Sequence, residues 1–549
     1  MPDTAHADLV LTGGPVHTNS PARSRATSVA VRGERIVAVG HDEVRELIGP
    51  RTEVVDLAGK LLVPGFQDAH AHPVGGGLEL GQCDLSGETT FAAYRERIAA
   101  YAREHADDEW ITGGGWAMEA FPGGLPTAAE LDALVPDRPV YLVNRDHHGA
   151  WVNSRALERA GIDARTPDPA DGRIERDADG VPTGMLQEGA ANLVGRLLPQ
   201  VTREERIAGL LRAQALLHSL GITAWQDALL GEHANLTDPT DAYLACAADG
   251  RLTARVVGAL WWDRARGTEQ IEELVARRAA GTLGRLRSTS VKIMQDGVAE
   301  NGTAALLGPY LDGCGCASDN SGISFVPPEA LKKYVTELDA QDFQVHFHAL
   351  GDRAVREALD AVEAARRANG RRDTRPHLAH LQVVHPDDIG RFRELGASAN
   401  MQPLWAAHEP QMDDLTIPFL GAERASWQYP FGALLRSGAT LAAGSDWPVS
   451  SPDPIQGIHV AVNRVLDDAP DGTPVFLPEQ RIGLADALSA YTAGSAYVNH
   501  LDDETGTIAP GHLADLVVLD RDPFAGPAEE IGTTSVEQTF VGGQRVFGG

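Results

Sequence analysis

The sequence has few cysteines, few basic residues and no long apolar run. Its four cysteines are too few and too scattered for a disulfide framework in a chain of 549 residues. Cys314 and Cys316 are separated by a single residue, which is closer than zinc-binding pairs usually stand, and no second pair follows. We therefore expect neither a disulfide scaffold nor a cysteine zinc site.

The charge balance and the apolar pattern exclude further classes of protein. No stretch has the roughly 18 consecutive apolar residues of a membrane-spanning helix, and "MPDTAHADLVLTGG" lacks the basic and apolar segments of a secretory signal. The 77 acidic and 47 basic residues give a formal net charge of −30, which disfavours a phosphate backbone as partner. We therefore expect a cytoplasmic protein with no nucleic-acid and no membrane partner.

Both ends of the sequence have the texture of short β-strands. "ADLVLTGGPVHT" and "ATSVAVRGERIVAVG" near the start cluster β-branched residues around glycine turns, as do "ADLVVLDRDPF" and "SVEQTFVGGQRVFGG" near the end. They predict one composite β-sandwich domain built from residues 1–62 and 503–549. Two unrelated sheet edges are the alternative interpretation.

Between these ends, apolar runs of strand length alternate with amphipathic stretches of helical length. The runs are "LLVPGFQDAH", "ITAWQDA", "ARVVGALWW", "SVKIMQDG", "FQVHFHALGD", "RPHLAHL", "GASANMQP" and "GATLAAGSD". Strand followed by helix favours parallel strands joined by crossovers, and eight repeats predict a closed (β/α)8 TIM barrel over residues 63–502. The predicted fold class is α/β.

One connection is far longer than a usual loop between a strand and a helix. It separates His72 from Ile222, and segments such as "PVYLVNRDHHGAWVNSRAL" and "GVPTGMLQEGAANLVGRL" carry strand, turn and helix signals of their own. We expect an insertion over residues 79–200, after the first barrel strand, that forms a lid or a substrate wall on the catalytic face.

Histidines and one aspartate recur where the barrel strands end, which is where catalytic groups of such barrels lie. His70 and His72 share one face of the first strand because side chains alternate with a period of two. His348, His380 and Asp446 close the fifth, sixth and eighth strands. Imidazole and carboxylate are the ligands of zinc sites that keep a position open for water. This set therefore predicts a metal centre.

Two neighbouring residues belong to the same pattern. Asp68 has the parity of His70 and His72, and we interpret it as a carboxylate behind the ligands that orients a histidine. His346 shares a face with His348, so that either could coordinate the metal.

The motifs that carry these residues resemble those of the amidohydrolase superfamily, specifically amidohydrolase family 3, the branch that contains N-substituted formamide deformylases. "PGFQDAHAHP" looks like its strand-one signature and "VKIMQDG" like its strand-four segment, while "VHFHALGD", "HLAHLQVVHPDDI", "NMQPLW" and "GSDWPV" match later barrel motifs. "DHHGAWVNSRALERAGI" and "GTIAPGHLADLVVLDRDPF" are also typical. The resemblance covers nearly the whole chain.

The resemblance implies a site for one or two divalent metal ions, with zinc as the expected metal. By motif position it assigns to this site His70, His72, Lys292, His348, His380 and Asp446. It selects His348 over His346, which then lies behind the ligands or faces the substrate, and it selects His380 over His377.

Two further roles follow from the resemblance. In related amidohydrolases the strand-four lysine takes up CO2 as a carbamate that bridges two metals, and a buried lysine supplies the neutral amine this needs, so we expect it at Lys292. The alternative is a lysine that only pairs with Asp296 or contacts substrate. His148, in "DHHGAW", either faces the substrate or fixes the fold of the insertion.

The implied activity is metal-dependent hydrolysis of a non-peptide C–N bond in a small-molecule amide, most simply a linear N-substituted amide or formamide. Asp446 is expected to act as general base toward water and then as general acid toward the leaving nitrogen. A cyclic amide hydrolase or a ring deaminase with the same site is one alternative, and a non-catalytic binding or regulatory protein on the same fold is another. The sequence leaves open whether the protein forms a homo-oligomer, and a dimer is the first form to test.

Overall fold

The computed structural model describes residues 6–20, 25–232 and 237–548. In chain order its strands are β1 (Leu9–His17), β2 (Arg25–Arg32), β3 (Arg35–Gly40), β4 (Glu53–Asp56), β5 (Leu61–Pro64), β6 (Phe66–Ala71), β7 (Cys83–Asp84), β8 (Ile111–Trp116), β9 (Val140–Asn144), β10 (Gly149–Val152), β11 (Gly172–Arg176), β12 (Pro182–Glu188), β13 (Ile222–Leu230), β14 (Arg255–Trp261), β15 (Leu286–Met294), β16 (Gln344–Ala349), β17 (His377–His380), β18 (Ser398–Met401), β19 (Thr440–Ala443), β20 (Leu516–Leu519), β21 (Val536–Val541) and β22 (Gln544–Phe547).

Helices fill the connections between these strands. They are α1 (Pro73–Glu79), α2 (Phe91–Glu104), α3 (Ala128–Asp132), α4 (Ser154–Ala160), α5 (Asn192–Gly195), α6 (Arg203–Ser219), α7 (Thr240–Ala248), α8 (Ile271–Ala280), α9 (Pro328–Ala340), α10 (Asp352–Asn369), α11 (Pro386–Leu395), α12 (Ile417–Ala425), α13 (Phe431–Ser437), α14 (Pro454–Asn463), α15 (Leu484–Ser489) and α16 (Ser495–Val498). Within the described ranges, none of them is long and apolar enough to cross a membrane.

The central sheet is a parallel barrel. Its strands follow the order β6-β13-β14-β15-β16-β17-β18-β19, and every neighbouring pair is parallel. At the open seam, the Asp446 N–H after β19 donates to the His70 carbonyl oxygen of β6 over 2.7 Å. This bond joins the last strand end to the first at the carboxyl side of the barrel.

The helices around the barrel form where capping and apolar spacing favour them. Thr202 and Glu205 form a capping box that begins α6, because each side chain accepts a hydrogen bond from the backbone N–H of the other. Helix α10 buries a stripe of alanine, valine and leucine at helical spacing against the sheet. The crossover helices therefore cover the parallel strands on the outside.

The two ends of the chain share one sheet. Its order is β22-β21-β20-β5-β1-β2-β3, with β4 beside β1, so that C-terminal β20 pairs antiparallel with N-terminal β5. Gly65 alone separates β5 from barrel strand β6, and a Cβ at Gly65 would collide with the Thr223 side chain. The buried pair of Arg255 on β14 and Asp515 beside β20, joined by hydrogen bonds of 2.7 and 3.0 Å, ties this domain to the barrel.

The segment between α1 and α6 has its own sheet and core. The sheet order is β11-β12-β10-β9-β8-β7, with β7 to β9 parallel and β9 to β12 antiparallel. Trp116, Phe121 and Trp151 pack edge to face in its core. The predicted fold, a barrel with a composite β domain and an insertion after the first strand, is confirmed. The residue limits proposed for each domain stay predictions, and their end points at residues 1 and 549 lie outside the described residues.

Candidate metal centre

The barrel brings every predicted ligand to its carboxyl end. His70 lies near the end of β6, Lys292 and His348 near the ends of β15 and β16, His380 at the end of β17, and Asp446 just after β19. All five are buried. His72, directly after β6, is partly exposed. The parallel topology explains this convergence, since strand ends of one direction meet at one side of the barrel.

Three of these residues surround one point. Oδ1 of Asp446 lies 3.0 Å from Nε2 of His70 and 3.0 Å from Nε2 of His72. One ligand atom from each of the three residues lies within 4.8 Å of the other two. Nδ1 of His380 is 4.0 Å from Oδ2 of Asp446, on the other side of the carboxylate. Asp446 is therefore the side chain that the histidines share.

Lys292 lies inside this group. Its Nζ is 3.3 Å from Nε2 of His70. Burial lowers the pKa of Lys292 to about 7, although the charge of Asp446 opposes the shift. Asp296, the alternative partner, accepts hydrogen bonds from the backbone N–H groups of Ala305, Leu350 and Gly351. Lys292 thus faces the histidines and Asp446.

The protonation states of these side chains fit a divalent metal ion. Burial, together with the charge of Lys292, lowers the pKa of His70 to about 3, and burial lowers the pKa of His348 and His380 well below the usual value. Burial alone would raise the pKa of Asp446, but the nearby histidines hold it well below its usual range. Neutral imidazoles around an ionised carboxylate are the form that binds metal.

Buried ring nitrogens without hydrogen-bond partners also favour a metal ion at this site. Among the described residues, both buried ring nitrogens of His380 lack a hydrogen-bond partner, and buried Nδ1 of His348 makes no hydrogen bond, with Oδ1 of Asp296 3.4 Å away. The two rings lie 4.5 Å apart, and the Trp405 indole stacks on His380 at 5.4 Å. Buried polar atoms without partners are costly, and ligation would satisfy them.

Two side chains support the candidate ligands from behind. Asp68 accepts hydrogen bonds from the His70 backbone N–H, at 2.9 Å, and from the Ser445 hydroxyl, at 2.5 Å. It therefore fixes the backbone on both sides of the ligand group. Burial raises the pKa of Asp68 to about 7. Nε2 of His346 lies 2.8 Å from Nδ1 of His70, so that His346 fixes the orientation of the His70 ring.

The backbone at the site is constrained. Asp446 has a φ of 57° and His380 a φ of 83°, in the left-handed region that residues other than glycine rarely adopt. Such conformations cost on the order of 1–3 kcal/mol each and persist where the surrounding structure imposes them. Both side chains are therefore placed by the fold at the expense of local backbone energy.

The insertion supplies His148 to the rim of the centre. Its Nδ1 lies 3.0 Å from both carboxylate oxygens of Glu188 on β12, and its ring centre is 5.4 Å from that of His348. Burial lowers the pKa of His148, but Glu188 outweighs this effect and the net shift is upward. The contact with Glu188 fixes the insertion, and the ring still lines both cavities described next.

Two cavities meet at the centre. The first, of about 500 Å³, and the second, of about 530 Å³, are both lined by His148, His348, His380 and Asp446. The second cavity extends along the insertion past Trp110 and Tyr141 and reaches Trp261 on β14. Its lining also includes His70, His72 and Lys292. The ligand group therefore stands at a junction open to two sides.

Sequence reasoning missed several residues of this site. Ser445 adjoins the predicted Asp446 in "GSDWPV", and Trp405 ends the motif "NMQPLW", so that these motifs were the available signal. Glu188 had no such signal in the sequence, because its role depends on β12 folding back onto His148. The acidic residues Glu300 and Glu409 of the first cavity lie in loops without a periodic pattern.

Comparisons with known proteins bear on this arrangement. The model of the amidohydrolase family Amidohydro_3 matches residues 53–547. The protein LONG AFTER FAR-RED 3 of Arabidopsis thaliana is 32% identical over 553 residues, with 98% of this chain and 92% of that protein covered. The N-substituted formamide deformylase of Arthrobacter pascens is 28% identical over 556 residues and covered to 98% on both sides. The crystal structure of a metal-dependent hydrolase from Pyrococcus horikoshii OT3 has a TM-score of 0.72 and 26% identity, covering 95% of this chain and 99% of that one.

Proposed function

Because the chain belongs to the amidohydrolase family, we propose that it hydrolyses the C–N bond of a linear N-substituted amide, with N-substituted formamides as the simplest members. It is a metal-dependent hydrolase of carbon–nitrogen bonds. A linear substrate is favoured because the ligand group lies at the junction of two cavities of similar volume. A linear amide placed with its C–N bond at the junction extends into both.

The proposed ligands are those that converge at the barrel end, namely His70, His72, Lys292, His348, His380 and Asp446. Their nitrogen and carboxylate donors suit zinc, and the neutral amine favoured at Lys292 suits a carbamate, which adds two oxygen donors. With these donors the site has room for one or two ions.

A bound divalent ion supplies Lewis acidity that polarises a carbonyl and lowers the pKa of water. The chain's own part is proton transfer and orientation. Asp446 is held in the ionised form, so that its carboxylate accepts a proton from the attacking water and then donates it to the leaving nitrogen. His148, whose pKa is raised by Glu188, lines both cavities, and its ring is proposed to donate a hydrogen bond to the substrate carbonyl oxygen.

A hydrolysis screen with metal analysis in the same preparation tests this function. The panel contains N-alkylformamides, longer linear N-alkylamides, cyclic amides and aminopurines. We expect turnover of linear amides, one or two zinc-like ions per chain, and loss of turnover in a chelator and in Asp446→Asn. Turnover of cyclic amides or aminopurines alone would replace the linear substrate with the cyclic alternative. Hydrolysis that survives full metal removal would overturn the proposal.

A further inference from the structure

The first cavity has an acidic wall that the hydrolytic reaction does not use. Away from the ligand group, its described lining includes the carboxylates of Asp146, Glu300, Glu409, Asp467 and Asp468. The single arginine among these lining residues, Arg145, already faces Glu119, with Nη1 3.6 Å from Oε1. The wall therefore has more acidic than basic groups, with Asp146, Glu300 and Glu409 partly buried and Asp467 and Asp468 exposed.

Glu409 is the least compensated of these carboxylates. Among the described residues, no side chain hydrogen-bonds it. Burial raises the pKa of Glu409 to about 7, and Glu119, Asp146 and Glu300 add to the rise, while Arg145 opposes it. A carboxylate in this situation gains free energy when a cation enters the cavity.

Glu300 faces the same space under similar conditions. Its Oε1 accepts a hydrogen bond of 2.6 Å from the Thr416 hydroxyl. Burial raises the pKa of Glu300, and Asp146 adds to the shift, whereas Thr416 and Gln382 lower it. The glutamate is positioned by its neighbours, yet no described positive charge is paired with it.

Gln382, whose side chain also hydrogen-bonds Glu300, adds a second observation at the same wall. Gln382 is 2% exposed and lines the cavity, and its Oε1 has no hydrogen-bond partner among the described residues. A buried acceptor without a donor is costly, and at a cavity wall a ligand that donates hydrogen bonds can satisfy it. An ammonium group carries three such donors.

A second metal ion does not account for this wall. Within the part of the chain that the structure describes, only His70, His72 and Asp446 bring three ligand atoms within 4.8 Å of one another. The acids of the wall are therefore spread along the cavity rather than gathered around a point. Leu404, Met412 and Tyr429 line the space between them with apolar surface that suits an alkyl chain.

We propose that the substrate carries a positively charged ammonium group, which binds in the first cavity against Glu300, Glu409 and the Gln382 amide oxygen. This inference rests on the proposed amide hydrolysis and names its substrate class: linear amides with a cationic end. The alkyl chain packs on the apolar surface, and the C–N bond reaches the junction with the second cavity.

The experiment compares matched substrates that differ only in the charge of one end. The panel contains N-(ω-aminoalkyl)formamides of increasing length, the N-alkylformamides with methyl in place of ammonium, and the N-(ω-carboxyalkyl)formamides. We expect kcat/KM to be at least about tenfold higher for the best ammonium substrate than for its methyl counterpart, as a charge-assisted contact provides. Carboxylate substrates should be the poorest, and the preference should fall with added salt.

The isosteric variants Glu300→Gln and Glu409→Gln are expected to lower the ratio of kcat/KM for ammonium over methyl substrate by about tenfold each. Glu104→Gln, at an exposed position on α2, is the matched control and should leave the ratio unchanged. Equal kcat/KM for ammonium and methyl substrates in the wild type, or a ratio that survives both variants, would overturn the inference and leave amide hydrolysis standing.

A binding measurement separates this inference from the proposed function. Calorimetric titration with 1,4-diaminobutane measures binding in the cavity without any turnover. If no amide is hydrolysed but the diamine binds in a manner that Glu300→Gln weakens about tenfold, the cationic site stands and the proposed reaction fails. Absence of diamine binding to the metal-loaded protein would refute the cationic site.

Discussion

Nε2 of His346 lies 2.8 Å from Nδ1 of His70, and this contact spans the barrel from β16 to β6. With its Nδ1 engaged, His70 turns its Nε2 toward Asp446 and Lys292. Partners of this kind typically contribute about 10–100-fold to metal affinity.

We therefore expect His346→Ala to lower metal affinity by about 10–100-fold, measured by competition with a chromophoric chelator. His346→Gln keeps an amide that can bond His70 and should restore part of the loss. His105→Asn, at a partly exposed position after α2 and outside the barrel, is the control. Equal affinities of wild type and His346→Ala would show that the contact is only structural.

Lys292 gives the second prediction. If its buried amine is carboxylated, the intact protein under native conditions should carry the mass of one CO2, and denaturing acid should release it. Lys292→Met keeps the length of the side chain and should reduce the metal content per chain. A fully loaded, active protein with an unmodified Lys292 would contradict the carbamate and leave the remaining ligands in place.

Glu409 gives a prediction on pH. Burial raises its folded pKa to about 7 from an ordinary value of 4.5, so that the folded state binds this proton more tightly than the unfolded state. The resulting stabilisation is fully present below the unfolded pKa and is lost as the pH rises through about 7. Glu409→Gln should therefore raise the unfolding temperature relative to the wild type at about pH 8 and change it little at about pH 4. A constant difference between wild type and variant at both pH values would argue against a raised pKa.

The buried ion pair of Arg255 and Asp515 gives a prediction about the contact between the barrel and the composite domain. Asp515→Asn leaves the buried Arg255 without its counter-charge and should cost about 3–5 kcal/mol in the free energy of unfolding. Glu504→Gln, in the exposed pair with Arg35, should cost less than about 1 kcal/mol. Urea denaturation of both variants measures the difference, and equal effects would refute a special role of the buried pair.

The barrel, and the convergence of the candidate ligands at one end of it, could be predicted because both depend on local patterns. Strand-length apolar runs followed by amphipathic helices specify parallel strands, and the period of two along a strand gives His70 and His72 one face. The convergence of His348, His380 and Asp446 then follows from the topology alone.

The acidic wall and the support of His148 could not be predicted in the same way. Glu188, Glu300 and Glu409 come from the insertion and from barrel loops, and their proximity depends on how long connections fold back. Such contacts leave no periodic pattern in the sequence. The sequence suggested two roles for His148, substrate contact and support of the insertion, and the contact with Glu188 and the position at the cavities suit both.

The pairing of β5 with β20 has a consequence for the order of synthesis. Strand β5 runs directly into the strand that carries His70, yet its partner β20 leaves the ribosome some 450 residues later. Until then β5 presents an unpaired edge, which is a template for pairing with other chains. The strand that leads into the His70 strand is thus among the last to gain its partner, so that a nascent chain needs protection of this edge until translation is almost complete.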